Sequence, residues 1–245
     1  MNVPDSHPRK ESLEVRHRLI DGFKRGLVAD AGLIAHGRGE AFDYLLGEET
    51  VPEAEAAEKA AVAMLLLAEN PVISVNGNVA SLLPEETVDL AKALNAKIEV
   101  NLFYRTVERE KAISHELHKA GADRVFGLEK TNDIPGLSSE RANVDSALWN
   151  ADVVLVALED GDRSEALKKI GKKVVAVDLN PLSRTAQVAD VSVVDNIVRA
   201  FPNMIGQVGI LRKKSESYLK DILKDFENSK NLDEIVSRIR GSFGN

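Results

Sequence analysis

The chain of 245 residues contains no cysteine, which excludes disulfide bridges, thiolate catalysis and cysteine-ligated zinc. No long apolar run is present. The most apolar stretch, Ala60 to Ala68, falls well short of the roughly 20 residues that span a bilayer, and the polar, charged amino terminus does not read as a signal peptide. Positive charge is not in excess either: Lys plus Arg number 32 against 39 Asp plus Glu, a net charge of -7, so no basic face for duplex nucleic acid is expected. Glutamine occurs only at Gln187 and Gln207, and with a charged fraction of 29% the composition leans towards those of thermophiles. A cytoplasmic protein that engages neither nucleic acid nor membrane is expected. Two nucleotide motifs are missing as well. The turn Val75-Asn76-Gly77-Asn78-Val79-Ala80-Ser81 lacks the three glycines of the dinucleotide fingerprint, and the strand candidate 97–102 carries Asn101 near its end where a ribose-binding acid would stand. There is no Gly-x-x-x-x-Gly-Lys-Ser/Thr phosphate loop.

What is there is a regular alternation. Apolar strand candidates at Val72 to Val75, Lys97 to Leu102, Arg124 to Leu128, Ala151 to Leu158, Val174 to Val177 and Val191 to Val194 alternate with helical segments Pro84 to Leu94, Val107 to Ala120, Ser164 to Ile170 and Ile197 to Leu211. Strands such as Val174 to Val177 are apolar throughout, as strands covered on both faces must be. The pattern predicts an α/β fold: a Rossmann-like doubly wound parallel sheet of about six strands with N-terminal and C-terminal helical extensions, the link Glu129 to Asn150 crossing between halves. Residues 1–70 are expected to form a helical segment packed on the core, 71–212 the core and 213–245 two further helices, in one structural domain. In the last helix Asn231 with Glu234 resembles a capping box, and Asp195-Asn196 caps a helix expected to bend or restart near Pro202.

Polar residues gather where five of these strands end: Asn76-Gly77-Asn78; Asn101, Tyr104, Arg105 and Thr106; Glu159-Asp160-Gly161-Asp162-Arg163; Asp178-Leu179-Asn180-Pro181-Leu182-Ser183-Arg184-Thr185; and Asp195-Asn196. Each alone reads equally well as a capped turn, with Ser183 as an N-cap. Five at one edge of a parallel sheet point to a ligand site. Upstream, Lys10 to Arg25 is an amphipathic helix with Arg16 within its apolar stripe, so Arg16 must meet a carboxylate or an anionic ligand. Gly32 to Glu40 reads as a glycine-punctuated loop in which Arg38, between Gly37 and Gly39, can lie along an anion at the start of a helix, with His36 either catalytic or holding the loop. His115 and His118 share a helix face opposite Ile113 and Leu117 and read as solvated. Arginines (Arg16, Arg38, Arg105, Arg141, Arg163, Arg184) and acids able to hold Mg2+ or an ammonium (Asp160, Asp162, Asp178) together suit an anionic substrate and a nucleotide.

Several runs carry a closer resemblance: His7-Pro8-Arg9, Leu33 through Gly47, Val72 through Asn78, Asn101 through Thr106, Leu158 through Arg163 and Asp178 through Thr185. They resemble the archaeal phosphopantothenate synthetases, also called 4-phosphopantoate:beta-alanine ligases, from His7 to about Arg199. The resemblance implies a cytoplasmic homodimer with a Rossmann-like core that joins 4-phosphopantoate to beta-alanine and splits ATP to AMP and diphosphate through an acyl adenylate, on the way to coenzyme A. By it, ATP contacts fall to Arg16, Arg38, Asp178, Leu179, Asn180, Arg184, Thr185 and Asn196. Arg38 and Arg184 would stabilise charge on the phosphates with Mg2+, and His36 would accept a proton. Asn76, Asn78, Tyr104, Arg105, Arg141, Asp160 and Asp162 are the candidates for the other two substrates, with Arg105 and Arg141 on the substrate's phosphate and Asp160 or Asp162 on the ammonium. No metal ligands are assigned. The His-x-Gly-His signature of bacterial pantothenate synthetases is absent. A non-catalytic nucleotide sensor and a Rossmann oxidoreductase are the alternatives, the second disfavoured by the missing glycines.

Overall fold

The structure, a computed structural model, describes residues 3–137 and 139–242. Its centre is a sheet of parallel strands β1 (Pro71–Val75), β2 (Lys97–Val100), β3 (Val125–Phe126), β6 (Val153–Ala157), β7 (Lys173–Val177) and β8 (Val191–Val193). Their order is β3-β2-β1-β6-β7-β8, the doubly wound arrangement in which the winding reverses between β1 and β6. The short pair β4 (Asn132–Asp133) and β5 (Asn143–Val144) and helix α7 (Ser146–Trp149) lie in the crossover between the halves.

The alternation of side chains along each strand explains the continuous apolar runs. Ile73, Val75, Leu155, Ala157, Val175 and Val177 face one core, while Val72, Val154, Val156, Val174 and Ala176 face another. Both faces are covered, so neither can be polar. The first core is closed by α3 (Pro52–Leu66), α5 (Pro84–Leu94) and α10 (Ile197–Leu211), through Leu65, Leu90 and Phe201. The second is closed by α7 and α8 (Gly161–Lys169), through Leu148 and Leu167. Helix α6 (Val107–Lys119) packs beside β2 and β3, and both His115 and His118 on it are exposed. At the amino terminus α1 (Lys10–Lys24) lies on α4 (Gly77–Leu82) and on α2 (Asp30–Leu45), and α11 (Glu216–Asp225) and α12 (Asn228–Gly241) pack on α3. Among the described residues no helix is long and apolar enough to cross a membrane.

Four details differ from expectation. The stretch 32–40 is not a loop but the body of α2. Its glycines permit close packing: a Cβ on Gly32 would stand 2.4 Å from Asn78 Oδ1, and one on Gly39 would touch Leu179 at 3.5 Å. Arg38 is consequently mid-helix and gains nothing from a helix amino terminus. Helix α10 runs through Pro202 without a break. Helix α12 starts three residues before Asn231, because Asn228 ties its first turn to the sheet, accepting from Ser192 N at 2.7 Å and donating to the carbonyls of Ala186 and Ala189. Asn231 is buried inside the helix. Finally, Gly77–Leu82 after the first strand is a helix, α4, capped by Asn76, whose side chain accepts from Asn78 N and Val79 N.

Candidate active site at the strand carboxyl ends

The turn after β7 is built by its own polar residues. Asp178 accepts from Asn180 N at 3.0 Å and from the Ser183 hydroxyl at 2.6 Å, and Ser183 caps α9 (Arg184–Val188) by accepting from Ala186 N. Burial raises the Asp178 carboxyl above its ordinary range, against the pull of Ser183, the Asn180 N–H and the nearby Arg38 charge. Thr185 donates to the carbonyl of Glu159 at 2.9 Å, fastening this turn to the end of β6. Helix α2 crosses above, Gly39 against Leu179, so Arg38 is exposed beside the turn. Arg16 from α1 is held at 2.7 Å by Glu40, which also receives Ser12 and Arg9. Burial opposes ionisation of Glu40, but Arg16 and Ser12 outweigh it and hold its pKa low. Asn196 caps α10 and donates to Asp43 of α2 at 2.9 Å, while Arg199 bridges Asp43 and Asp195 and Thr50 donates to Asp195 at 2.6 Å. His36, one turn before Glu40, is buried with Nε2 unpartnered among the described residues. Its pKa is lowered by that burial, so it is neutral near pH 7.

The other half of the edge follows β1, β2 and β6. Asn76 donates to the carbonyls of Ala157 and Leu158 and Asn78 to that of Gly32, so both side chains are engaged in holding the strand ends and α2. Leu158 carries φ 52, a left-handed conformation that costs a side-chain-bearing residue on the order of 1–2 kcal/mol. It turns the chain sharply into Glu159–Arg163 at the edge of the crevice. Arg105, expected on a substrate phosphate, is instead enclosed: its side chain is 1% exposed, 2.8 Å from Glu110, and donates to the carbonyl of Asn143. Arg163 is likewise buried against Glu159. A guanidinium without access to the crevice cannot contact a ligand there, and both act on the fold. Tyr104 is exposed and packs edge-on to Phe103. Arg141 lies over the Phe103 ring at 4.2 Å and reaches Asp160 and Asp162. Asp160 caps α8, accepting from Asp162 N. Asp162 also pairs with Arg184.

The fold thus places 178–180, Arg184 and Thr185 at the end of β7 and Asn196 after β8, with Arg38 of α2 near Asp178 and Arg16 tied to α2 through Glu40; Arg141, Asp160 and Asp162 stand beside the end of β6, and the Asp162–Arg184 pair joins the two ends. A cleft of about 370 Å³ adjoins this set at Asn196, between the amino ends of α1 and α10, and takes in Arg9, Asp43 and Arg199. No group of three or more His, Asp or Glu side chains able to hold a metal gathers among the described residues. Glu40, Asp43 and Arg199 tie α1, α2 and α10 together at this edge, and the strand-end pattern does not single them out. Titratable residues four apart, His36 with Glu40 and Asp195 with Arg199, are the signal that flags Glu40 and Arg199, because such residues share a helix face; no such spacing marks Asp43.

A doubly wound sheet with charged side chains gathered at its carboxyl edge has the architecture of α/β proteins that hold nucleotides and other anionic small molecules. The chain belongs to the phosphopantothenate/pantothenate synthetase family, which it matches over residues 53–242. It is 56% identical over 242 residues to a 4-phosphopantoate–beta-alanine ligase of Thermococcus kodakarensis, covering 98% of this chain and 93% of that protein. With the same-named proteins of Thermococcus onnurineus and Methanosarcina mazei the identity is 54% over 242 residues and 48% over 240, covering 98% of this chain in both cases and 93% and 94% of those proteins.

Proposed function

We propose that the protein is a 4-phosphopantoate:beta-alanine ligase of coenzyme A biosynthesis that forms AMP through an acyl adenylate. The observation that carries this beyond the family match is the charge pattern at the sheet's carboxyl edge, where Arg184 after β7 and Arg141 of the crossover meet Asp160 and Asp162 after β6. ATP takes the β7–β8 side, on Arg16, Arg38, the 178–180 turn, Arg184, Thr185 and Asn196. It arrives as the Mg2+ complex, whose metal needs few protein ligands because phosphate oxygens and water supply most of them. The carboxylate of 4-phosphopantoate attacks the α-phosphorus and diphosphate leaves, with Arg38 and Arg184 offsetting the charge that builds there. The acid's own phosphate falls to Arg141, which its half-buried position over Phe103 favours over the enclosed Arg105.

Beta-alanine is then held by its ammonium at Asp160 or Asp162. It must lose a proton before its nitrogen attacks the acyl carbon and AMP departs with the bonding pair. His36, neutral near pH 7, is the proton acceptor in this reading. Catalysis is largely the holding of three reactants in line. By analogy with the family's homodimer, a second copy completes the assembly.

Chromatography of products after mixing the protein with MgATP, 4-phosphopantoate and beta-alanine tests the proposal. AMP and 4'-phosphopantothenate in equal amounts, dependent on both acid and amine, are expected. ADP would show an acyl-phosphate route instead, and ATP binding without turnover would make the chain a nucleotide sensor.

A further inference from the structure

Asp162 occupies an unusual place in the crevice. One carboxylate oxygen pairs with Arg184, the arginine expected on ATP, and the other stands 3.2 Å from Arg141, the arginine proposed for the acid's phosphate. Arg184 has Glu165 as a further, weaker partner at 3.7 Å, whereas Arg141 has Asp160 as its nearer partner and Asp162 as its second. The side chain of Asp162 is 44% exposed and that of Arg184 60%, so this bridge lies in solvent reach and can open without unpacking a core. The rest of the region is fixed. Gly161 lets Arg184 pass close to α8, since a Cβ there would stand 2.7 Å from Arg184 Cβ, and Asp160 is tied to the first turn of α8 as its cap. A carboxylate shared between two arginines has the charge and the reach of a phosphate oxygen pair. Both arginines thus hold an anion before any substrate arrives.

We infer that Asp162 is a placeholder: its carboxylate holds Arg184 and Arg141 in the empty enzyme, is displaced by the phosphates of ATP and 4-phosphopantoate, and, once released, becomes the acceptor for the beta-alanine ammonium. The inference rests on the ligase reading above. Two consequences follow from the geometry. The first anionic substrate must break the bridge and the second finds it already broken, so the two favour each other's binding, and by linkage do so to the same degree in either order. The ammonium site does not exist until the arginines are taken, so beta-alanine binds last.

The test is calorimetric titration with two probes, α,β-methylene ATP with Mg2+, whose α-phosphorus cannot release diphosphate, and 4-phosphopantoate, each alone and each against a saturating amount of the other. In the wild-type protein each should tighten the other by about fivefold or more, the ordinary range of such couplings. Asp162→Asn removes the competing charge while keeping the side chain's size. It should bind each probe alone more tightly, lose most of the coupling, and raise KM for beta-alanine at least tenfold in an AMP-release assay. Asp160→Asn keeps a good helix cap and, of the two arginines, Asp160 meets only Arg141, so it should tighten the acid and leave the nucleotide affinity unchanged. A residue with a merely structural role would weaken binding or leave it alone. If Asp162→Asn binds either probe no more tightly than wild type, or the coupling persists, the placeholder is refuted while the ligase reading stands on wild-type AMP release. If the wild-type protein releases no AMP with all three substrates, the ligase reading falls and the placeholder with it.

Discussion

Arg184 depends on a hydrogen atom at the end of the neighbouring strand, on Gly161 just beyond β6. The space beside it exists because residue 161 lacks a side chain: a Cβ there would meet Arg184 Cβ at 2.7 Å and Nε at 3.0 Å. The nearer clash is with the root of the arginine rather than its flexible end, so rotation alone does not relieve it. Gly161 is also the first residue of α8 and has no positive φ, so alanine is acceptable to the helix there and favoured by about 0.5–1 kcal/mol over glycine. Gly161→Ala is expected to raise KM for ATP about tenfold and to lower the melting temperature, because α8 and the start of α9 must move apart, an overpacking that costs about 1–3 kcal/mol against the helix gain. An unaltered KM would show that Arg184 does not need that path. Glu58 offers a second single-residue test, of stability. It is buried on α3 and its carboxyl is pushed up to about 8, chiefly by desolvation, with the Asn203 amide opposing. Its folded pKa lies above the unfolded value, so between about pH 4.5 and 8 the unfolded chain gives up a proton that the folded one keeps. Stability is therefore lost as pH rises through that window. Glu58→Gln retains the acceptor for Asn203 and removes the titration. The variant should match wild type at pH 4.5 and exceed it by on the order of 1 kcal/mol at pH 8, about 2–4 °C in melting temperature.

At the scale of elements, what joins α2 to the end of the sheet is a charged knot, with Arg199 between Asp43 and Asp195 and Asn196 donating to the same Asp43. Desolvation lowers the basicity of Arg199, but the two carboxylates more than compensate and hold its pKa high. Arg199→Ala strands two buried carboxylates, for which about 3–5 kcal/mol of destabilisation is expected. Arg199→Lys keeps the charge but not the fork that reaches both acids and should fall between. Denaturant unfolding of both variants measures this, and equal stability of alanine and lysine would mean that the knot is solvated. These elements also show what could be read from the sequence. Strands with both faces covered and no polar alternation were plain, as was the cap at Ser183, because each is specified by residues next to one another. The helical nature of 32–40, unlike that of Ala41 onwards, was not, since its glycines meet Asn78 and Leu179, partners far away in the chain. Glu99 was equally opaque. It looks like the polar member of a strand, yet both its oxygens accept backbone N–H groups, from Asp145 and Leu148, and anchor the crossover. The enclosure of Arg105 is hidden for the same reason: burial against Glu110 and the β5 backbone is a property of the assembled fold, not of the strand-end pattern.

On the scale of the whole molecule, the proposed nucleotide site is made from pieces that would otherwise be loosely joined: α1 through Arg16, α2 through Arg38, and the sheet through Asp178, Arg184 and Asn196. The first two are attached to each other by Arg16 and Glu40 and to the core by glycine contacts and the Asp43 knot. A ligand that touches all three must stabilise the native state as a unit. At a concentration of 100 times its Kd, ATP would add about 2.7 kcal/mol, which for a chain of this size raises the melting temperature by about 5–10 °C. Hydrogen exchange locates the gain: amides of 30–45 in α2 should slow on adding MgATP together with those of the 178–185 turn, because the nucleotide closes one against the other. Arg38→Ala should abolish the slowing in α2 while leaving the turn partly protected by Arg184 and Asn180. If α2 exchanged at the same rate with and without nucleotide while the melting temperature still rose, the site would lie wholly on the sheet and Arg38 would stand outside it. A matched response of α2 and the turn, lost from α2 alone in the variant, would make the amino-terminal helices part of the nucleotide site as well as part of the fold.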